Sequence, residues 1–286
     1  MPLSPAQLAA YLERIGHDGT PRADRETLNA LQRAHRLSIA FENLDIPLGR
    51  GIALAPERLF EKLVTLRRGG YCFEQNGLFL AMLEAIGFAA RPLLARVWLS
   101  AETVPGRTHT LNLVRLDGED LIVDVGFGGS YVPPMALADG AEAATPDGAR
   151  HRLIADPDHG WMLERDGGEG WQRQYSFTLD PVWPVDLEMA NHFTSTRPGT
   201  RFTTLRIASA PIADGYVSLI DRQLTVSRLG RSEVRTIGTA EDYRQILAER
   251  FALVLDVEEA EALGLFAINS APRRGGVGGG GSATRE

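Results

Sequence analysis

The sequence predicts an α+β fold in which a helical lobe precedes a largely antiparallel sheet. Three observations predict it. Apolar residues recur at helical spacing through the first 88 residues, short aliphatic runs separated by turn residues follow from Ala89 onward, and a late helical pattern covers residues 239–251.

Four helices are predicted in the first lobe, each from local signals. Ser4 and Asp24 are the expected N-caps of the first two helices, and Pro56 opens the third. The fourth follows Cys72, where apolar residues recur at helical spacing until Gly87, the expected residue after its C-cap.

The strand predictions rest on short runs rich in aliphatic residues that are bounded by Pro, Gly and Asp. They cover residues 93–99, 108–116, 120–125, 152–155, 160–164, 171–177, 203–208, 216–220, 223–228 and 233–237. Thr239 is the expected N-cap of the last helix. The glycine-rich stretch 273–286 is predicted to be disordered.

Composition narrows the classes of function. The 286 residues carry 30 basic and 37 acidic side chains, a formal net charge of −7, so no basic footprint for nucleic acid is expected. A single cysteine excludes an internal disulfide and indicates a reducing compartment. No secretory signal and no run long enough to span a membrane is apparent, so we expect a cytoplasmic protein that needs no membrane. The oligomeric state stays open.

Cys72 is that single cysteine, and its surroundings favour chemistry. Gly69 and Gly70 allow a sharp turn before it. The first turn of a helix offers free N–H groups and the positive end of the dipole, which favour a thiolate. The alternative is an inert core residue, because free cysteines are often simply buried. A catalytic role for Cys72 would be favoured if the chain also supplied a base for the thiol and a group that orients this base.

His109 and Asp124 supply such a pair if the chain forms a hairpin between them. Asp117-Gly118 is a strong signal for a two-residue hairpin loop. In that register Leu111 lies opposite Asp124, and His109 becomes its diagonal neighbour on the same face, about 7–8 Å away between Cβ atoms. A carboxylate in an apolar strand is costly unless it is paired. We therefore predict that Asp124 orients His109; the alternative is a structural pair unrelated to the thiol.

The other histidines are weaker candidates for the base. His17, His151 and His159 lie in polar, turn-like stretches and are expected at the surface. His35 lies on the apolar face of the second helix and is expected to be a core residue, while His192 is left undecided.

Two further groups are candidates for binding and support. Gly126, Gly128 and Gly129 can form an anion-binding nest of backbone N–H groups, although a plain turn explains them equally well. Glu42, a charge between apolar residues, is expected to pair with Arg68, the alternative being that both are solvated. No metal site is predicted, because the cysteine and the histidines lack ligand spacing.

The chain resembles the arylamine N-acetyltransferases. The matching segments are Ile-Ala-Phe-Glu-Asn-Leu at 39–44, Arg-Gly-Gly-Tyr-Cys-Phe-Glu-Gln-Asn at 68–76, Thr-His at 108–109 and Val-Asp-Val-Gly-Phe-Gly at 123–128. The second segment is long and specific, and the general layout agrees over about residues 1–265. Ala40 departs from the family, which often has proline there.

The resemblance implies a three-part architecture with a triad core like that of cysteine proteases. A helical bundle (1–88) would carry the nucleophile, an antiparallel β-barrel-like domain (89–195) would carry the histidine and the aspartate, and an α/β lid (196–272) would follow. Residues 273–286 form the predicted tail.

The resemblance also implies a ping-pong acetyl transfer with acetyl-CoA as co-substrate and no permanently bound cofactor. Cys72 would be the nucleophile, with His109 and Asp124 moving and supporting the proton. The acceptor would be an arylamine, arylhydroxylamine or hydrazine. Gly126, Gly128 and Gly129 would meet the phosphates of CoA. The acceptor pocket implied by the resemblance is lined by Phe41, Val97, Thr108, Phe127 and Phe202.

Other functions fit the same residues. A thiol hydrolase or a transglutaminase-like enzyme would use this triad on a peptide or glutamine amide, and an amide synthase would close polyketide chains. A non-enzymatic alternative is a binding protein in which Cys72 senses oxidation, and this alternative needs neither His109 nor Asp124. Acylation by a CoA thioester would separate these possibilities.

Overall fold

A computed structural model describes residues 2–99 and 101–266, so the predicted tail at 273–286 lies outside the described residues. The described residues form eight α-helices, and a π-helical turn, Glu61–Thr65, continues the third. The helices are α1 (Pro5–Ile15), α2 (Arg25–Ser38), α3 (Pro56–Phe60), α4 (Cys72–Ile86), α5 (Pro184–Thr196), α6 (Arg201–Thr204), α7 (Ala240–Phe251) and α8 (Val257–Ala262). None of them combines the length and the apolar character that crossing a bilayer requires.

The predicted helix starts are confirmed by their capping bonds. Ser4 Oγ accepts the backbone N–H of Gln7 at 3.3 Å, and Asp24 Oδ1 accepts that of Thr27 at 2.8 Å. These bonds satisfy N–H groups that have no partner inside the helix. At the other end of α4, Gly87 adopts the left-handed conformation, with φ of 103°. Local chemistry thus sets where α1 and α2 begin and where α4 ends.

The strands form two antiparallel sheets. In chain order they are β1 (Phe41–Glu42), β2 (Ala89–Val97), β3 (Arg107–Leu116), β4 (Glu119–Val123), β5 (Met135–Ala136), β6 (Ala141–Ala144), β7 (Arg150–Asp156), β8 (Gly160–Asp166), β9 (Trp171–Phe177), β10 (Ile207–Ile212), β11 (Gly215–Ile220), β12 (Gln223–Arg228) and β13 (Arg231–Thr236). The larger sheet has the order β5-β4-β3-β2-β9-β8-β7-β6, and its edge strands β5 and β6 approach each other as in a barrel. The smaller sheet has the order β1-β10-β11-β12-β13.

The β3–β4 hairpin has the predicted register. Leu116 pairs with Glu119 across the loop, and the ladder continues to Asn112 opposite Val123. Asp117 and Gly118 have φ of 49° and 85°, as a two-residue loop with two left-handed residues requires. The hairpin therefore places Asp124, the next residue after β4, beside the start of β3.

The two faces of this hairpin belong to different cores. Val114, Leu121 and Val123 pack against α1, α2 and α4 in the helical core. Leu111 and Ile122, on the opposite face, belong to the core inside the barrel-like sheet. The strands that carry the histidine and the aspartate are thus held between the helical bundle and the barrel, directly beside α4.

Sequence patterns misplaced β10 and missed six further elements, which are α5, α6, α8, β1, β5 and β6. The strand predicted at 203–208 is wrong in its first half, where α6 ends at Thr204 and β10 begins only at Ile207. Threonine hydroxyls there donate to backbone carbonyls three or four residues earlier, which favours a helical turn over a strand. Helix α5 was not predicted. Neither was β1, which joins the smaller sheet by pairing Phe41 with Ser209.

Candidate active site

Cys72 is the first residue of α4 and is buried, with 3% of its surface exposed. Its thiol faces the start of β3, and Sγ lies 3.8 Å from the carbonyl oxygen of Thr108, to which it donates. It packs in an apolar cluster with Phe41, Tyr71 and Leu94. The sulfur is therefore held at a helix N-terminus, within an apolar cluster, next to the strand that carries His109.

His109 and Asp124 form the predicted pair. The Nε2 atom of His109 lies 2.7 Å from Oδ2 of Asp124. Cys72 lies close enough to the ring to help raise the pKa of His109. The structure therefore brings the sulfur, the imidazole and the carboxylate together in the order that sequence analysis predicted.

The charges at the site favour a protonated imidazole. Burial alone would lower the pKa of His109, but the charge and hydrogen bond of Asp124, together with those of Cys72, raise this pKa to about 10. Burial would raise the pKa of Asp124, but His109 and the other donors hold it below its usual value. At neutral pH the ring is therefore a cation paired with the Asp124 carboxylate.

Asn76 holds the second oxygen of Asp124, a role that sequence analysis did not assign. Its Nδ2 donates to Asp124 Oδ1 at 3.0 Å and to the Thr110 carbonyl at 2.7 Å, and its Oδ1 accepts the N–H of Val125 at 3.1 Å. The N–H of Gly126 also donates to Asp124 Oδ1, at 2.8 Å. Because Asn76 lies one turn after Cys72 on α4, one helix fixes both the Cys72 thiol and the Asp124 carboxylate.

The two residues before Asn76 hold the start of the same helix. Glu74 accepts the backbone N–H of Tyr71 at 3.0 Å. Gln75 donates from Nε2 to the carbonyl of Gly70 at 2.7 Å and to that of Ala40 at 3.1 Å. Glu74, Gln75 and Asn76, three consecutive buried polar residues, thus each bind different neighbours around α4. A helix buried on every side can keep such residues only if each is hydrogen-bonded.

The predicted pair of Glu42 and Arg68 is confirmed and belongs to a larger buried network. Their atoms Oε1 and Nη2 lie 2.8 Å apart, and the Glu42 side chain is fully buried. Arg68 also reaches Asp45, and Lys62 of the π-helical turn lies 2.7 Å from both Asp45 and Glu74. The network ties the segment before Cys72 to the first turn of α4, so it supports the position of Cys72.

The aromatic residues expected in the pocket lie on two sides of the triad. Phe41 and Phe202 face each other with ring centroids 5.9 Å apart, in the apolar cluster that contains Cys72. Phe127 packs edge-on against His109, with centroids 5.1 Å apart. Buried Asn43 fixes Phe202 by donating to its carbonyl at 2.9 Å. Val97 is half-buried at the end of β2.

The glycine segment after Asp124 is partly committed to contacts within the protein. Gly126 packs directly on α4, where a Cβ atom would lie 2.7 Å from the Cα of Cys72. Its N–H serves Asp124, and the N–H of Gly129 donates to Ser209 Oγ at 3.2 Å. Gly126 is therefore required by close packing, and the binding of CoA phosphates by this segment stays a prediction.

Two of the other histidines have clear outcomes. His35 is a core residue as predicted, with Nδ1 at 2.5 Å from the Tyr11 hydroxyl and Nε2 at 3.2 Å from Gln75 Oε1. The surface prediction for His151 is wrong, because this residue is 4% exposed. It lies on β7 at a position that faces inward, next to strand neighbours that are polar, so its sequence surroundings resemble a turn.

Comparisons with known proteins agree with this geometry. A family model described as N-acetyltransferase matches residues 24–260. An arylamine N-acetyltransferase from Mycolicibacterium smegmatis is 40% identical over 258 residues, covering 87% of this chain and 92% of the relative. The structure of an arylamine N-acetyltransferase from Salmonella typhimurium aligns with a TM-score of 0.86 at 34% identity, covering 92% of this chain and 100% of that one. That of the Mycobacterium marinum enzyme in complex with CoA has a TM-score of 0.84 at 34% identity, covering 90% and 97%.

Proposed function

This chain belongs to the arylamine N-acetyltransferase family, and we propose that it transfers acetyl groups through an acetyl-Cys72 intermediate. Acetyl-CoA is the co-substrate and the acceptor is the nitrogen of an arylamine, arylhydroxylamine or hydrazine. The observation that carries the proposal is the convergence of Cys72, His109 and Asp124 at one point between α4 and the β3–β4 hairpin.

The first half-reaction loads the enzyme. The Cys72 thiolate attacks the carbonyl carbon of the acetyl thioester, and the bond between that carbon and the CoA sulfur breaks. The CoA thiolate leaves with the proton of the His109 imidazolium. Backbone N–H groups that include that of Cys72 stabilise the oxyanion of the tetrahedral intermediate. Acetyl-Cys72 and a neutral imidazole remain.

The second half-reaction unloads it. The acceptor nitrogen attacks the acetyl carbon of acetyl-Cys72, and His109 takes the proton that the nitrogen loses. The bond from carbon to Cys72 sulfur breaks, and the thiolate is restored beside the imidazolium. Asp124 keeps the ring of His109 in place through both half-reactions. It also raises the pKa of His109, and the ring is therefore protonated in the resting enzyme.

We assign the acceptor to the apolar space bordered by Phe41, Val97, Thr108, Phe127 and Phe202. Aromatic walls at this position suit a flat aromatic amine, whose ring stacks on them while its nitrogen points to the sulfur. We assign the CoA phosphates to the segment with Gly126, Gly128 and Gly129, where Gly128 and Gly129 have left-handed φ of 85° and 64°.

We propose a cytoplasmic location, because the one cysteine must stay reduced to act as a nucleophile. Glu42 and Arg68 have a structural role in the proposal, since their ion pair lies before the nucleophile. Thiol hydrolase, transglutaminase-like and amide synthase activities use other acyl donors or acceptors, and a redox sensor needs no acyl donor at all.

Intact mass spectrometry tests the proposal. Incubation with acetyl-CoA is expected to add one acetyl group to the wild-type protein and none to Cys72→Ala, and an arylamine should then remove it. A glutamine peptide in place of acetyl-CoA separates the transglutaminase-like alternative. If acetyl-CoA leaves the mass unchanged while a peptide amide acylates Cys72, the proposed donor is wrong.

A further inference from the structure

A small cavity with several polar side chains in its walls lies beside Asp124, between α2, the segment after β4 and the barrel sheet. Its volume is about 30 Å³, and its walls include Gln32, Arg36, Ser130 and His151. A buried cavity needs roughly 10–15 Å³ of such space, and two to four polar partners, to hold a water molecule. The cavity has enough room for one, and its walls carry polar groups.

Three polar atoms in these walls lack hydrogen-bond partners among the described residues. They are Gln32 Oε1, Ser130 Oγ and His151 Nδ1. Gln32 is 1% exposed and His151 is 4% exposed, so their side chains do not form hydrogen bonds with bulk water. Burial of polar atoms is costly unless they are hydrogen-bonded. Their convergence on one cavity indicates a shared partner.

The amide of Gln32 has its orientation fixed. Its Nε2 donates to the backbone carbonyl of Asp124 at 3.2 Å and to that of Val132 at 2.7 Å. A flipped amide would direct its oxygen at two carbonyl oxygens, so Oε1 must be the atom that faces the cavity and needs a donor.

The charges and hydrogen-bonding groups in the cavity walls indicate which kind of ligand the cavity can hold. The Gln32 oxygen and the Asp124 carboxylate disfavour an anion, and the buried guanidinium of Arg36 disfavours a metal cation. Burial and the charge of Arg165 lower the pKa of His151 to about 4, so its ring is neutral at neutral pH. A neutral molecule that both donates and accepts fits all three atoms, and water is the one small enough for the space.

We propose that one ordered water molecule occupies this cavity and links Gln32, Ser130 and His151, and that His151 is thereby a positioning residue for acetyl transfer. The link acts through Gln32, which holds the backbone at Asp124 and Val132, the two ends of the segment that contains Phe127. The kinetic part of this inference rests on the proposed function; the water site itself does not.

The first test is a crystal structure of the wild-type protein at a resolution that shows ordered water. We expect density within hydrogen-bonding distance of all three atoms. Direct bonds among the three side chains, or a cavity without density, would overturn the proposal. This readout holds even if the protein transfers no acetyl group.

The second test compares His151→Leu with His151→Gln. The control is His159→Leu, because His159 lies in the turn between β7 and β8 and does not line the cavity. Leucine removes the polar partner, so kcat/KM for the arylamine should fall about 3- to 10-fold, as expected for one lost hydrogen bond. Glutamine restores a donor and an acceptor and should recover activity to within about twofold. Equal losses in the leucine and glutamine variants, or none in either, would contradict a positioning role that acts through the water.

Discussion

Asn76→Ala is the sharpest perturbation that the structure offers outside the triad. Alanine removes the donor to Asp124 Oδ1 at 3.0 Å, the donor to the Thr110 carbonyl and the acceptor of the Val125 N–H. A hydrogen bond to a charged group contributes about 1.5–3 kcal/mol, and each buried group left unpaired costs about 1–3 kcal/mol. Because the freed groups recover part of this by relaxation, we expect a loss of about 2–4 kcal/mol in the free energy of unfolding.

The same substitution should reduce turnover. Asp124 would keep His109 and the Gly126 N–H but lose the contact that anchors it to α4. If between half and all of the 1.5–3 kcal/mol of that bond is lost in the transition state, kcat/KM falls about 4- to 160-fold.

The assay is steady-state acetylation of an arylamine, measured together with urea unfolding. Leu28→Ala is the matched control, since Leu28 is fully buried in the helical core and lies outside the triad. It should cost a similar 2–5 kcal/mol of stability and leave kcat/KM nearly unchanged below its unfolding transition. Asn76→Ala with kcat/KM within twofold of wild type would refute the positioning role.

The remaining predictions concern close packing, the ion network and pH. Gly126→Ala must push a methyl group against the Cα of Cys72 at 2.7 Å, so it should cost about 1–3 kcal/mol and slow acylation, whereas Gly238→Ala, with open space around it, should do neither; thermal melts and acetylation rates check this. Arg68→Met leaves Glu42 buried and unpaired, so urea unfolding should show a loss of about 3–5 kcal/mol, and adding Glu42→Gln should restore part of it. The raised pKa of His109 means that its interactions stabilise the fold fully below pH 6.5, the unfolded value, and progressively less as pH rises towards about 10. The stability difference between wild type and His109→Gln should therefore be larger at pH 6 than at pH 9.5; an equal or larger difference at pH 9.5 would contradict the assigned ion pair.

Local signals explain which parts of the fold were predictable. The starts of α1, α2 and α4 depend on capping side chains within three or four residues, and the β3–β4 register depends on the two-residue loop at Asp117-Gly118. Strand β1 has only two residues, and it forms because Phe41 and Glu42 pair with β10, which lies much later in the chain. No local pattern contains that information. Helix α5 had a usable signal in Pro184 at its first position.

The same distinction holds for the site. The triad was predictable because one hairpin sets the distance between His109 and Asp124, and Cys72 is the single thiol. The role of Asn76 was not predictable, because its partners Thr110, on β3, and Asp124, just after β4, lie far along the chain. A signal was present nevertheless: three consecutive polar residues in a helix with apolar residues on every side require buried partners.

The most direct test of the account is a double-mutant comparison within the triad. We would measure kcat/KM for acetyl transfer in His109→Gln, Asp124→Asn and the variant that combines them, correcting each for its folded fraction. If Asp124 acts only by holding His109, the double variant should be no slower than the slower single variant, because groups that work as a unit are lost together. Rate losses that multiply in the double variant would show that the two residues act independently, and the account would fail.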